Sequence, residues 1–563
     1  MFSSRNYDII IIGGGISGLF LAYKLSFVNL SILLIESSDR LGGRIYTKHK
    51  NGVTFESGAA RFHSTHTKLL SLIKELDLVG LIYPLPRTLD HNLRKKDMRL
   101  HSSAPYETRH NLDMMNLLQK SIISKDKFKK EELINISFFQ YLTFIFDHET
   151  ALFMKDSFGY DSEFIELNAY SAVSMFEKDL FSSDQYYSLQ GGISLLTEKL
   201  QSKLQQKDNV TIRMNKQVID INDRMVLLSG NETFYFKYLL CAIPQKSLLQ
   251  FPYLKSLSSL NSVKEIPLLR IYAKYPEKDV WFKGIQRTTT DNILRHIIPI
   301  DPQKGLIMMS YTDNHLAETW RNAYTNGEEF LIKMLHKEIK FLYEIDPPDP
   351  EFISFDYWSN GFHVWKPGSD SHELSSEIIR PIPDKNIFIC GESFSLKQGW
   401  MEGALETCYQ VASSLNLDAY DVSIKNSHKD KEKDKEKDKE KEEEKEEDKE
   451  EIIFTIEEIL SHNNGKSLRK NISQDAKLLI MEVDEKKLVY DVSSWINKHP
   501  GGSDKIEKAL KHNEHYKDKQ IYDKSPWDLF KSQMKIGNHN ESIFKKYFKE
   551  ENQHVKLVGE LDK

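Results

Sequence analysis

The stretch YDIIIIGGGISGLFLAYKL near the N-terminus leaves this chain little freedom. Residues 7 to 13 form an apolar run of the kind buried in a parallel strand. Gly13-x-Gly15-x-x-Gly18 follows at a strand-to-helix turn, and Leu19, Ala22, Tyr23 and Leu25 recur behind it at helical spacing. A second strand, SILLIE, ends in Glu36. Strand, glycines, helix, strand and acid in this register predict an α/β unit that holds a dinucleotide. Gly13 makes the tight turn, Gly15 lets backbone approach a pyrophosphate, and Gly18 lets helix and strand pack closely. Ser17 lies among them in the first helical turn, where unpaired N–H groups attract phosphate. Glu36 is placed to accept hydrogen bonds from a ribose diol. The pattern alone does not choose between FAD and NAD.

The residues that follow narrow the choice. ESSDRLGGRIYT carries Arg40, Gly43 and Arg44, and FESGAARF, residues 55 to 62, is a small-residue run ending in Ala60, Arg61 and Phe62. SLQGGISLLTEKL opens a helix with two glycines, Val218 lies in NKQVIDI, and YLLCAIPQKSL reads as a returning strand. IFICGESFSLKQGWMEGALETCYQVA, residues 387 to 412, supplies Gly391, Glu392, Trp400 and Met401. Through these segments the first unit resembles the flavin-containing amine oxidase family over nearly its whole length. The resemblance implies a Rossmann-like FAD-binding domain interleaved with an α+β substrate domain. It implies that FAD is held by Gly13, Gly15, Ser17, Gly18, Glu36, Arg40, Gly43, Arg44, Ala60, Arg61, Val218, Gly391, Glu392 and Met401. It further implies oxidation of a neutral amine to an imine, with O₂ then reduced to hydrogen peroxide. A water-excluding aromatic pocket favours the neutral amine.

Three residues are expected at the reacting centre on the same ground. Lys274, in RIYAKYPEKDVWF, matches the family lysine that holds a water at flavin N5. Trp400 matches one wall of an aromatic cage. The opposite wall is expected from YWSNGFHVWKPG, residues 357 to 368, where the family often has a tyrosine and this chain offers Phe362, His363 and Trp365. His363 reads equally as a hydrogen-bonded pocket histidine without a chemical role. The segment around Cys390 lacks the cysteine that some relatives bond to flavin, so non-covalent FAD is expected. Arg61 falls where relatives acting on L-amino acids clamp the substrate carboxylate, a task suited to a planar guanidinium. RTTTDNILRHIIP, residues 287 to 299, also resembles the amino acid oxidase branch, although Ile297, Ile298 and Pro299 stand where that branch has a tyrosine. Pairing of Arg61 with an acidic neighbour is the other reading of that residue.

At 563 residues the chain exceeds one ordinary core. An unbroken charged run, KDKEKDKEKDKEKEEEKEEDKEE, has nothing to bury and divides it. The expected organisation is an oxidase unit over 1–425, a linker over 426–451, a second module over 452–545 and a tail over 546–563. FTIEEILSHN and LLIMEVDEKKLVYDVSSWINKHPGG resemble cytochrome b5, a small α+β fold, and place His499 at that family's first axial haem-iron position. IYDKSPWDLFKSQMKIG offers Asp523 or Lys524 where the second axial histidine belongs, so haem b binding is left open. A flavin-to-haem electron-transfer chimera with another acceptor, and a non-catalytic FAD-binding scaffold, are the rival functions. A net charge of −6 favours neither nucleic acid nor an anionic membrane as partner. With three cysteines, no signal-peptide core and no apolar run of membrane-spanning length, a soluble intracellular protein is expected. The abundance of Lys, Asn and Ile resembles proteins of AT-rich genomes such as those of large DNA viruses, which adds a virion as a location.

Overall fold

Ile9, Ile10 and Ile11 have no exposed surface in the computed structural model, the burial of a strand covered on both faces. The structure describes residues 5–86, 90–93, 96–97, 114–180, 186–415, 453–454, 478–483, 486–491 and 556–561. The chain divides into two units, Met1–Leu180 with Asp184–Lys429, and Phe181–Ser183 with Asp430–Lys563.

In the first unit, strand Asn6–Ile12 lies between Ile32–Ile35 and Glu232–Cys241, parallel to both. Val210–Arg213 extends the sheet beyond Ile32–Ile35, and Ile387–Ile389 pairs in parallel with the C-terminal end of Glu232–Cys241. An antiparallel pair, Met225–Leu228 and Val218–Ile221, completes this seven-stranded sheet. Parallel strands need crossovers, and the crossover out of Asn6–Ile12 is helix Ile16–Leu25. That helix packs against helices Met401–Ser414 and Leu195–Leu204, so segments distant in sequence share one core. Crossovers of this kind leave a ligand crevice at the carboxyl ends of the strands.

The second sheet runs in the order Phe352–Trp365, Val263–Lys274, Leu306–Asp313, His296–Asp301, Thr288–Thr290, Asp90–Leu93 and Lys96–Asp97. Side chains of a strand alternate between faces. Leu269, Ile271 and Ala273 therefore join Trp320, Leu331, Leu335 and Ile339 of two covering helices, while Leu268 and Arg270 face a cleft. The apolar spacing of LLSLIKEL and ISFFQYLTFIF folds as helices Thr67–Glu75 and Phe138–Ile145. Cys241, Cys390 and Cys408 are buried and free.

In the second unit, Leu478–Val483 and Lys486–Asp491 form an antiparallel hairpin. Lys556–Leu561 pairs with Lys486–Asp491 and also with Ile453–Phe454. Residues expected to form a tail thus contribute a strand between the other strands, because an unpaired hairpin edge exposes a row of N–H and C=O groups that a third strand can satisfy. His499, Asp523 and Lys524 lie outside the described residues. Among the described residues, no helix is long and apolar enough to cross a membrane.

Candidate active site

The first unit holds a cleft of about 830 Å³ that starts at the glycine turn and ends at the second sheet. Gly13 has φ +104°, and a Cβ there would lie 2.5 Å from the Ala242 carbonyl oxygen. Gly18 does not line the cleft; it lies beneath, where a Cβ would be driven into the Gly13 carbonyl. Gly15 is different, since a Cβ there would meet nothing nearer than Gly43 Cα at 4.0 Å. The open side of Gly15 leaves the N-terminus of helix Ile16–Leu25 accessible to a pyrophosphate. Glu36 accepts from the Gly14 amide at 2.7 Å and the Ser38 amide at 2.8 Å, which fixes its carboxylate against the turn. Arg40 donates to the carbonyls of Leu41, Gly43 and Ile45 and stacks 4.2 Å from the Tyr46 ring, so it shapes the Gly42–Gly43 loop. Val218 lines the same end. These features fit an adenine dinucleotide.

Towards the second sheet, Glu392 is the organising acid. It is 5% exposed and accepts from Arg44 at 2.6 Å, the Gly399 and His363 amides at 2.8 Å, and His363 Nδ1 at 2.9 Å. Burial works against its charge, but Arg44 and His363 outweigh burial and hold the carboxyl far below its usual range. His363 is wholly buried, with Ser393 Oγ at 3.4 Å and Glu265 at 3.9 Å from Nε2. This is the placement of a hydrogen-bonded pocket histidine that positions Glu392, rather than of a free cage wall.

Trp400 lies stacked on Tyr186, with ring centroids 6.0 Å apart and planes inclined by 14°, and His66 meets its edge at 4.9 Å. Burial, then the charges of His63 and Lys397, push the His66 imidazole down to about 3, so it is neutral at ordinary pH. Arg61 sits 4.9 Å over the Tyr186 ring and 5.9 Å from that of Trp400. No carboxylate of the described residues pairs with it. Burial opposes its charge, and the phenols of Tyr160, Tyr186 and Tyr311 more than offset that.

Lys274 is not brought to this cleft. Its Nζ is held by Glu351 at 2.6 Å, at the end of strand Val263–Lys274. It shares a strand face with Arg270 but lies four residues, roughly 13 Å, further on. Arg270 is the basic side chain this strand presents. It donates to Glu56 and Gly58 carbonyls and to Tyr311 Oη at 3.3 Å, and stacks 4.5 Å over the Tyr311 ring. Burial raises the Tyr311 phenol, but Arg270 and Arg61 reverse this and the net direction is down.

Sequence reasoning also missed Tyr160, Tyr186, Tyr311 and Glu163. Ile297, Ile298 and Pro299 stand where the resemblance expects a tyrosine, and the phenols come from other elements. Burial, then the Asp313 carboxylate, push Glu163 up to about 8, so it is protonated at neutral pH and charged above that. Glu163 lines the cleft, so an anionic substrate should bind less well as pH rises through about 8. KM measured from pH 7 to 9 should rise in the parent and stay flatter in Glu163→Gln; parallel profiles would remove Glu163 from substrate binding.

Residues 16–416 match the family model described as flavin containing amine oxidoreductase. The chain belongs to that family. As a flavin-containing amine oxidoreductase it is an FAD-dependent enzyme acting on amines, and the dinucleotide that the glycine turn fits is FAD. "Putative L-amino-acid oxidase YobN" of Bacillus subtilis (strain 168) is 23% identical over 479 residues, which cover 74% of this chain and 95% of YobN. "Uncharacterized protein R188" of Acanthamoeba polyphaga mimivirus is 25% identical over 479 residues, 71% of this chain and 92% of its own. Among solved structures, putrescine oxidase bound to putrescine matches the fold with a TM-score of 0.58 and 17% identity, covering 73% of this chain and 99% of that one.

Proposed function

We propose that this amine oxidoreductase oxidises L-amino acids to imino acids and that O₂ is the final acceptor, released as hydrogen peroxide. The observation that carries this reading is Arg61: a guanidinium lying against the Tyr186 and Trp400 rings, inside the cleft, without a carboxylate of its own among the described residues. A half-buried guanidinium gains from an anion that meets it, and a substrate carboxylate supplies one. The α-amino group is then presented beside Trp400 and Tyr186. FAD, which Gly391, Glu392 and Met401 would help to hold, would supply the hydride acceptor for Cα, with the amine lone pair becoming the second bond of the imine.

That lone pair must be free, and the cations help. Arg61 and Arg270 disfavour an ammonium nearby and so lower the amine's proton affinity. The same field disfavours a diamine carrying two positive charges. Met401, Gly391 and Glu392 line the part of the cleft the flavin needs, with Arg44 held by Glu392. None of the three cysteines lines the cleft, which supports non-covalent FAD.

Arg61→Ala should lower kcat/KM for L-amino acids by about 10²–10³-fold, the loss expected when one partner of a desolvated ion pair is removed. Amines lacking the carboxylate should lose much less. Peroxide release measured on both substrate sets checks this, and an equal loss on both would sink the proposal.

A further inference from the structure

An amine arrives at neutral pH mostly as its ammonium, and the proton it must lose needs an acceptor in the cleft. The acids that line the cleft do not provide one. Glu392 is bound by Arg44 and His363 and held far below its usual range, Glu36 is fixed by two backbone amides, and Glu163 already carries a proton at neutral pH. The phenols that line the cleft are Tyr160 and Tyr311.

Strand pairing sets these two apart. Arg270 and Tyr311 stand directly opposite each other on strands Val263–Lys274 and Leu306–Asp313, and both side chains line the cleft. Arg270 is 5% exposed; its Nη2 donates to Tyr311 Oη at 3.3 Å, and its guanidinium stacks 4.5 Å over the Tyr311 ring. Its other bonds go to the uncharged carbonyls of Glu56 and Gly58, and its buried Nε has no partner. Asp356, opposite Arg270 on strand Phe352–Trp365, is paired with Lys48 instead. Arg270 is thus a buried cation without a carboxylate among the described residues. Tyr272, two residues further on, commits its hydroxyl proton to the Glu56 carbonyl at 2.7 Å. The Tyr311 hydroxyl donates to no described residue, so its oxygen is the position at which a negative charge would neutralise Arg270. The Gly58 carbonyl that Arg270 holds lies three residues before Arg61, which ties this pair to the segment that carries Arg61.

The Tyr160 ring meets that of Tyr311 at 5.2 Å. Burial pushes the Tyr160 phenol up, whereas at Tyr311 burial is outweighed by Arg270 and Arg61. Neighbouring groups driven apart in this way divide acid and base roles between them. The remaining groups around Tyr311 are quiet at neutral pH. His296, 5.9 Å away, is held neutral by burial, Arg295 is paired with Asp156 and Asp161, and Asp313 accepts from the Asp161 and Ser162 amides.

We propose that Tyr311 is the proton acceptor of the reaction and that Arg270 is the positioning residue that stabilises its phenolate. An N–H bond of the substrate ammonium breaks, the Tyr311 O–H bond forms, and the electron pair stays on nitrogen as the lone pair that the imine requires. The phenol returns its proton to solvent after the product leaves. This inference rests on amine oxidation itself and not on the amino acid reading above.

The test uses the full-length flavin-loaded protein. Near-UV absorbance is read from pH 6 to pH 10 without substrate, and flavin reduction is then followed without O₂ on adding L-leucine or benzylamine. The parent should form a phenolate, absent from Tyr311→Phe, at lower pH than its other tyrosines. Tyr311→Phe should reduce its flavin about 10²-fold more slowly than the parent at pH 7 and recover most of that difference at pH 10, where the amine loses its proton to solvent unaided. Arg270→Lys, which keeps the charge, should retain the early phenolate. Absence of that phenolate from the parent, or a loss in Tyr311→Phe that is equal at pH 7 and pH 10, as lost packing would give, overturns the inference. A pH-dependent loss seen with benzylamine, and no reduction by L-leucine, would sink the amino acid reading and support this one.

Discussion

Gly18→Ala yields a protein that purifies without its flavin. The added Cβ has no place to go, because it points into the Gly13 carbonyl oxygen, with the Gly13 carbonyl carbon at 3.1 Å and Leu34 Cδ1 at 3.3 Å. Backbone cannot yield as a long side chain can, so the helix Ile16–Leu25 must move off the strand or the glycine turn must open. Either change displaces the helix N-terminus that meets the pyrophosphate. The expected loss of FAD affinity is at least 100-fold, read as the ratio of flavin to protein absorbance after purification. Far-UV circular dichroism close to the parent's would show that the rest of the unit still folds. A fully loaded Gly18→Ala protein would show that the close approach of helix and strand is not what the site depends on.

Glu392→Ala is the second large effect, this time on stability. Its carboxylate accepts from two backbone amides, one imidazole and one guanidinium, and all four lose their acceptor at once. Removing one member of a buried ion pair typically costs about 3–5 kcal/mol, because the remaining charge is left without a partner. Glu392→Gln keeps the shape and one good acceptor and should lose less. Because the folded-state pKa is depressed, the carboxylate's contribution is present above the unfolded value and disappears as pH falls through the folded one. Part of the acid sensitivity of the first unit should therefore vanish in Glu392→Gln. Urea unfolding at pH 7 and pH 4 measures both statements; a Glu392→Ala protein within about 0.5 kcal/mol of the parent would sink the account of Glu392 as the organising acid.

The cofactor end of this site was legible because its signals are local. A run of isoleucines, three glycines at fixed offsets and an acid at the end of the next strand encode their own geometry within thirty residues. Gly391 and Glu392 were also readable, because the residues around them belong to one strand, turn and helix. The substrate end was not readable in this way. Its phenols come from a loop before a helix, from strand Tyr186–Leu189 and from Leu306–Asp313, and nothing in any one segment indicates that the others converge on it. Lys274 shows the residual difficulty on a single strand. Alternation puts Arg270, Tyr272 and Lys274 on one face, but only tertiary structure says where along that face the cleft ends. His363 shows another: a histidine in an aromatic run reads the same whether it walls the cage or holds a carboxylate at the edge of the cleft.

The strand Glu232–Cys241 joins Asn6–Ile12 on one side to Ile387–Ile389 on the other. On the ribosome, the glycine turn emerges long before the strand and helix that close its pocket. At about 5–20 residues per second, the gap between residue 12 and residue 387 corresponds to roughly 19–75 s. Throughout that interval the half-built sheet has an open edge and the helix Ile16–Leu25 lacks its packing partner Met401–Ser414. Flavin loading is therefore a late event in the life of the nascent chain, and translation that stops short of residue 387 leaves a product with the fingerprint but no pocket.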